Sequence, residues 1–169
     1  MRKVILFIAS SLDGYIAREN GGIDWLFSDA DYGYSEFYSS IDTVIVGRKT
    51  YDQSLGFEEY PYKGKKVYVF TRDKRAGDRY VDFVSSDLAG LVRKLKQLEG
   101  KDIWLVGGSD IVSILLNAGL VDRIILSIHP IVLGRGIPLF KGLTQEIQMK
   151  LVKTLSYPSG LAQLHYELS

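Results

Sequence analysis

Five short, nearly continuous apolar runs, each closed by a turn signal, constrain this chain more than any other feature. They are Val4–Ala9, Thr43–Val46, Val67–Phe70, Ile103–Val106 and Arg123–Ile128. A strand that is apolar at consecutive positions buries both of its faces, so helices must lie above and below it. Those helices are legible between the runs. After Asp87, residues Leu88, Leu91, Val92, Leu95 and Leu98 recur at helical spacing, Arg93, Lys94 and Lys96 fall on the other face, and Gly100 stops the pattern. Ser109 or Asp110 is expected to cap a second helix, which buries Ile111, Val112, Ile114, Leu115 and Leu116 and ends at Gly119. Residues 29–40 and 48–55 read as two shorter helices. The alternation predicts an α/β fold with a mostly parallel sheet between helical layers. Met149–Leu155 and Leu161–Leu168 flank Pro158 and Gly160 and predict a C-terminal antiparallel hairpin. No repeat, linker or low-complexity tract interrupts the series, so residues 1–169 are expected to form a single domain.

Composition narrows the function. A chain of 169 residues with 46% hydrophobic and 24% charged residues is long enough for a full core. A net charge of +1 is not that of a protein built to hold a nucleic-acid backbone. The clusters Lys63, Lys65, Lys66 and Arg72, Lys74, Arg75, Arg79 read as solvated turns. With no cysteine, disulfides and thiolate chemistry are excluded, and His129 and His165 lack zinc-ligand spacing, so no metal is expected. No run approaches the roughly 18 apolar residues of a membrane span, and the apolar start ends too early for a secretion signal. The expectation is a cytoplasmic protein that binds neither nucleic acid nor membrane.

In a parallel sheet, ligands bind outside the carboxyl ends of the strands. "VGRKT" places Gly47 at such an end and Arg48, Lys49 and Thr50 in the first turn of a helix. Cations are poorly placed there for stability, because they oppose the helix dipole, yet they are well placed for an anion. "VGGSD" repeats the junction at Gly107, Gly108 and Ser109, where the absence of side chains lets a ligand approach the backbone. A packing turn explains that stretch about equally well. "FTRD" brings Thr71 and Arg72 to a third strand end, as a phosphate partner or as a surface ion pair. Two glycine junctions in one sheet suggest a ligand with two or more phosphates. An acidic and aromatic stretch, "GGIDWLFSDADYGY", carries Asp24, Trp25, Asp29 and Asp31. Asp29 and Asp31 are either helix caps or carboxyl groups with a raised pKa that handle a proton near a substrate. Trp25, Phe27, Tyr32 and Tyr34 line a pocket or belong to the core. His129 is expected to be a hydrogen-bonded structural residue.

Together, "FIASSLDGYIA", "GGIDWL", "VGRKTYD" and "WLVGGSDIVSILLNAGLVDRIILSIHPIVLGRGIPLF" resemble the dihydrofolate reductase superfamily. The resemblance is greatest to the branch that contains the reductase domain of the bifunctional riboflavin-biosynthesis deaminase/reductase. It covers nearly the whole chain, and its motifs fall in the right order. It implies a dihydrofolate reductase-like three-layer α/β/α fold with a mostly parallel mixed sheet, and a reductase that uses NADPH on a C=N or C=O of a small pteridine- or pyrimidine-like substrate. Gly47, Arg48, Lys49 and Thr50 match the family's pyrophosphate and 2′-phosphate grip. Val106, Gly107, Gly108, Ser109 and Asp110 match its second glycine turn, whose Gly–Gly peptide is cis. Thr71 and Arg72 match the adenosine side, Ala9 and Ile16 the nicotinamide side, and Asp24 and Trp25 the loop over the substrate.

Two features depart from the folate enzymes. Neither Asp29 nor Asp31 aligns cleanly with the acidic residue that contacts the pterin, and Lys65 stands where an arginine holds the folate carboxylate. The "LGRGIPLF" segment belongs to the riboflavin-type branch, and with "LVDRIILSI" it is either a homodimer surface, as the resemblance implies, or part of the packing of a monomer. The alternative is a nucleotide-binding protein of the same fold without reductase activity.

Overall fold

The computed structural model describes residues 1–169. In chain order the elements are β1 (Val4–Ser11), β2 (Tyr15–Ala17), α1 (Tyr34–Ser40), β3 (Ile41–Gly47), α2 (Arg48–Ser54), β4 (Lys66–Phe70), β5 (Val81–Val84), α3 (Leu88–Gln97), β6 (Asp102–Gly107), α4 (Ser109–Asn117), β7 (Arg123–His129), β8 (Ile137–Pro138), β9 (Met149–Ser156) and β10 (Ala162–Leu168). Eight strands form one sheet in the order β5-β4-β3-β6-β1-β7-β10-β9, and β2 pairs only with β8. From β5 to β7 all neighbours are parallel, whereas β10 runs antiparallel to both β7 and β9. The expected mixed sheet with its terminal hairpin is therefore present.

Successive residues of each inner strand bury against different layers, as the continuous apolar runs require. Val4, Leu6, Ile45, Ile103 and Leu105 pack with Leu88, Val92 and Leu95 of α3 and with Ile111, Val112 and Leu115 of α4. Their neighbours Ile5, Val44, Val46 and Trp104 pack on the other face with Phe37 of α1, Tyr51 of α2, Val67 and Val69. No helix is long and apolar enough to cross a membrane.

Several boundaries differ from the sequence expectation, each for a local reason. The helix expected from residue 29 begins at Tyr34, because Tyr32 and Gly33 hold φ at 53° and 80°. Asp31 then reaches forward, its carboxylate accepting the Ser35 N–H at 3.1 and 3.2 Å. Asp87 caps α3 as expected, its side chain accepting the Gly90 N–H at 2.9 Å. Neither Ser109 nor Asp110 caps α4. Gly108 occupies that position without a side chain, Ser109 donates its hydroxyl to the Pro138 carbonyl, and Asp110 pairs with Lys141. Three further strands are too short to show a period in the sequence: β5 is a four-residue edge strand, and β2 and β8 are shorter still. β7 is an inner strand with both edges hydrogen-bonded, while the exposed apolar side chains of this half lie at Val132, Phe140, Met149, Leu151 and Val152.

Buried Arg2 pins the amino ends of the strands. Its guanidinium pairs with Asp42 and donates to the Thr43 hydroxyl and the Lys101 carbonyl, both at 2.6 Å. At the opposite ends, Asp13 fixes the segment leading to β8. Its carboxylate accepts the Ser11 hydroxyl at 2.6 Å and the N–H groups of Leu133 and Gly134 at 3.1 and 2.7 Å. The Ser11 hydroxyl is the main reason that the Asp13 carboxyl is held below its usual pKa. Gly136 follows with φ 155°, and a Cβ there would lie 2.3 Å from the Ala17 carbonyl oxygen of β2. Gly136→Ala is therefore expected to separate β8 from β2 and to lower stability by about 2 kcal/mol or more, read from urea unfolding. An unchanged denaturation midpoint would show that this crossing is not tight.

Candidate functional site

Three glycines meet where β3 and β6 end. The two strands are parallel, and their register shifts so that Val46 pairs with Gly107, skipping Val106. Gly47 then abuts the next turn closely enough that a Cβ on it would lie 3.4 Å from the Gly108 nitrogen and 3.5 Å from the Gly107 oxygen. Gly107 has φ 123°, and the Gly107–Gly108 peptide is cis. A Cβ on Gly108 would meet only the Thr50 hydroxyl oxygen, at 3.6 Å. Gly47, Thr50, Gly107 and Gly108 thus form one wall of nearly bare backbone, with α2 and α4 starting from it.

Cations flank this wall. Arg48 pairs with Asp52 one turn along α2 at 3.3 Å, and Asp52 also takes Arg75 in a two-pronged pair at 2.9 and 3.1 Å. The Arg75 guanidinium, then Arg48, holds the Asp52 carboxyl below its usual pKa. Asp52 serves both guanidiniums and the Asp73 carboxylate also acts on Arg75, so the cluster itself is close to neutral. Lys49 and Arg72 are exposed beside it in sequence, and Thr71 is buried. Arg75 was not singled out in the sequence. It sat in a run of four cations, and only the fold shows that this one turns back to α2 and over the Phe83 ring. Of the remaining expected cofactor residues, Val106 packs toward the Trp104 cluster, and Ser109 and Asp110 are engaged by Pro138 and Lys141.

The other half of the site lies where β1 and β7 end. Ala9 and Ile16 are half-buried on β1 and β2. Of the expected substrate-side pair, Asp24 faces solvent and is bound by Arg18 at 2.6 and 3.0 Å. Trp25 is buried edge-on to the His129 ring, 5.3 Å away, and its indole N–H has no partner. A buried donor without an acceptor is costly, so the indole N–H is available to an acceptor that enters beside it, a water or a ligand. Asp29 accepts the Tyr32 hydroxyl at 2.6 Å, and Tyr32 also reaches Ser159 in the β9–β10 turn at 2.8 Å. Asp31 is exposed, and its hydrogen bonds with Ser35 lower its pKa. That shift is opposite in sign to the raised value expected of a proton donor.

Beside α1 opens a cleft of about 630 Å3 lined by Tyr34, Tyr38, Glu59, Tyr60, Pro61 and Lys63. Burial pushes the Tyr34 hydroxyl up to about 12, so it stays a neutral wall of this cleft. Lys65 is not among the lining groups. Its ammonium donates to the Tyr38 and Ile41 carbonyls at 2.8 and 2.6 Å and lies over the Tyr38 ring, so it closes the end of α1.

A family model described as the RibD C-terminal domain matches residues 2–163. The uncharacterized protein YyaP of Bacillus subtilis (strain 168) is 41% identical over an alignment 177 positions long, gaps included, that covers 98% of this chain and 94% of that protein. A candidate riboflavin biosynthesis protein from Shewanella sp. PV-4 has a crystal structure that superposes with a TM-score of 0.87 at 28% identity, covering 99% of both chains. Dihydrofolate reductase from Enterococcus faecalis, complexed with NADP(H) and RAB-propyl, shares the fold, with a TM-score of 0.74 at 17% identity over 99% of this chain and 96% of that one.

Because Lys65 caps a helix, its replacement should register as lost stability. Lys65→Met is expected to cost roughly 1–2 kcal/mol in chemical denaturation, allowing for partial solvent screening. A variant as stable as the parent would show that the α1 carbonyls do not depend on this ammonium.

Proposed function

This chain belongs to the RibD C-terminal domain family, and on that premise we propose that it is an NADPH-dependent reductase of a small pteridine- or pyrimidine-like substrate. The observation that carries the reading is the bare-backbone wall of Gly47, Gly107 and Gly108, bordered by the guanidiniums of Arg48 and Arg75 and by exposed Lys49 and Arg72. Backbone without side chains admits a pyrophosphate to hydrogen-bonding distance of peptide N–H groups, and the guanidinium fork suits a further phosphate. The residues present therefore fit the dinucleotide.

In this reading the backbone of Gly47, Gly107 and Gly108 and the Thr50 hydroxyl hold the pyrophosphate, with Val106, Ser109 and Asp110 fixing the turn from within. Arg48, Lys49, Thr71 and Arg72 take the adenosine side and the 2′-phosphate. Ala9 and Ile16 border the nicotinamide, whose C4 supplies the hydride when the cofactor is bound. Trp25 covers the substrate and offers its indole N–H to a substrate acceptor, while Asp24 keeps the loop in shape through Arg18. Asp31 serves the start of α1, so proton handling falls to Asp29, whose side-chain partner is the Tyr32 hydroxyl. The remaining contribution of the protein is orientation and exclusion of water. With Lys65 engaged by carbonyls, the one cation lining the cleft is the Lys63 ammonium, a point charge without the two-pronged grip that suits the carboxylate of a folate. The tyrosine-lined cleft favours a planar heterocycle without that tail.

Thermal shift with NADPH, NADH and methotrexate tests the assignment. NADPH is expected to raise the melting temperature, NADH less, and methotrexate little. A melting temperature that NADPH leaves unchanged would remove the cofactor, since a ligand bound only by the folded state must stabilise it. Gly108→Ala isolates the wall, because φ at this residue is −75° and its surroundings leave room for a methyl group. The variant should fold like the parent and bind NADPH at least about tenfold more weakly, since the methyl group would stand where the ligand approaches. Arg48→Ala should lose about tenfold in NADPH affinity and much less in NADH affinity. Clear NADPH binding with no turnover of any pyrimidine or pteridine would support a binding protein of the same fold instead.

A further inference from the structure

His129 ends β7, nearly fully buried, in register with Ser11 of β1. Its Nε2 accepts the backbone N–H of Phe27 at 3.1 Å, and its Nδ1 lies 3.3 Å from the Ser127 carbonyl oxygen. These partners fix the state of the ring. An amide N–H can only donate, so Nε2 must carry a lone pair. A carbonyl can only accept, so the proton sits on Nδ1. The imidazole is clasped by two rings of the same segment, Trp25 edge-on at 5.3 Å and Phe27 tilted at 4.9 Å. The Phe27 amide makes the one hydrogen bond that residues 23–31 form to a strand of the sheet; their other bonds stay within the segment or go to Arg18, Tyr32, Tyr34 and Ser35.

We propose that His129 is a positioning residue. As the neutral Nδ1–H form it latches the Trp25–Phe27 segment to the end of β7, and protonation of Nε2 releases that segment. The latch places the unpaired indole N–H of Trp25 in its buried position. Protonation would set an N–H of the ring against the N–H of Phe27, replacing attraction with repulsion.

Around the ring stand the Ser10 and Ser127 backbones and the two aromatic side chains, none of them charged. Asp24, on the latched segment, is exposed and bound to Arg18, and Asp13, just beyond β1, is bound by Ser11, Leu133 and Gly134. Burial lowers the His129 pKa from its ordinary value of 6.5. With the closed-state pKa below the open-state value, the latch is at full strength above about 6.5 and weakens as pH falls through the lowered value. The consequence for turnover rests on reading Trp25 as the substrate cover; the latch itself does not.

Amide hydrogen exchange of residues 23–31 in the full chain tests it, with rates corrected for the intrinsic effect of pH. His129→Phe keeps a ring but no acceptor, and it should speed exchange at Phe27 by about fivefold. His129→Gln, whose side-chain carbonyl can accept the same N–H, should stay within about twofold of the parent. In the parent, protection of Phe27 should fall between pH 7.5 and about 5, a step that the Phe variant lacks. Equal protection at Phe27 in the parent and a folded Phe variant overturns the proposal, as does a parent profile flat across that range. If the Phe variant does not fold, the pH series on the parent decides. In turnover, the Phe variant should raise KM for the heterocyclic substrate while NADPH affinity is unchanged. Failure to find any substrate would count against the reductase reading and leave the exchange result standing.

Discussion

The parallel pairing of β3 with β6 is the contact on which the rest of the site depends. By skipping Val106, the register sets Val46 opposite Gly107 and brings Gly47 against the Gly107–Gly108 turn. Neither junction is distinctive alone, since a glycine at a strand end is ordinary. Side by side they make a surface with no side chain to keep a ligand off the backbone. The pairing is secured by burial on both faces, Ile103 and Leu105 toward one helical layer and Trp104 toward the other. Arg2 ties the amino ends of the same strands together, so the carboxyl ends inherit a fixed spacing.

Around that surface, polar residues divide into those that tie loops down and those left over for a ligand. Ser11, Asp13 and Ser109 are all at strand ends, where a ligand donor or acceptor would stand. Two of them are engaged by the segment that carries β8, Asp13 taking two of its N–H groups and Ser109 binding the Pro138 carbonyl, while the Ser11 hydroxyl holds Asp13. That segment crosses β2 so closely that only glycine fits at position 136. The "SLDG" and "LGRG" stretches, far apart in sequence, are thus two sides of one joint. The group left without a partner is the indole N–H of Trp25, while the guanidiniums of Arg48 and Arg75 share the Asp52 carboxylate.

Charged residues near α1 show how far residue type alone carries an argument. Asp31 and Lys65 are both charged groups that could serve a ligand, and both serve the helix instead, Asp31 at its start and Lys65 at its end. Exposed N–H and C=O groups at the ends of a helix need partners whatever the protein does. Asp29 and Asp31 were equally plausible in sequence because spacing does not show which one the left-handed turn at Tyr32 and Gly33 directs toward the helix.

The sequence by itself determined the layers of the fold, the five inner strands, the α3 cap at Asp87, the hairpin and the two glycine junctions. These follow from period and turn chemistry, which act over a few residues and are written locally. Tertiary structure alone decided which charges remain free. Arg75 turning back to Asp52, Ser109 turning away to Pro138, and His129 accepting the Phe27 N–H each join residues 23 or more positions apart. A hydrogen bond is satisfied by whichever partner the fold brings within reach, so no local pattern could have named these pairs.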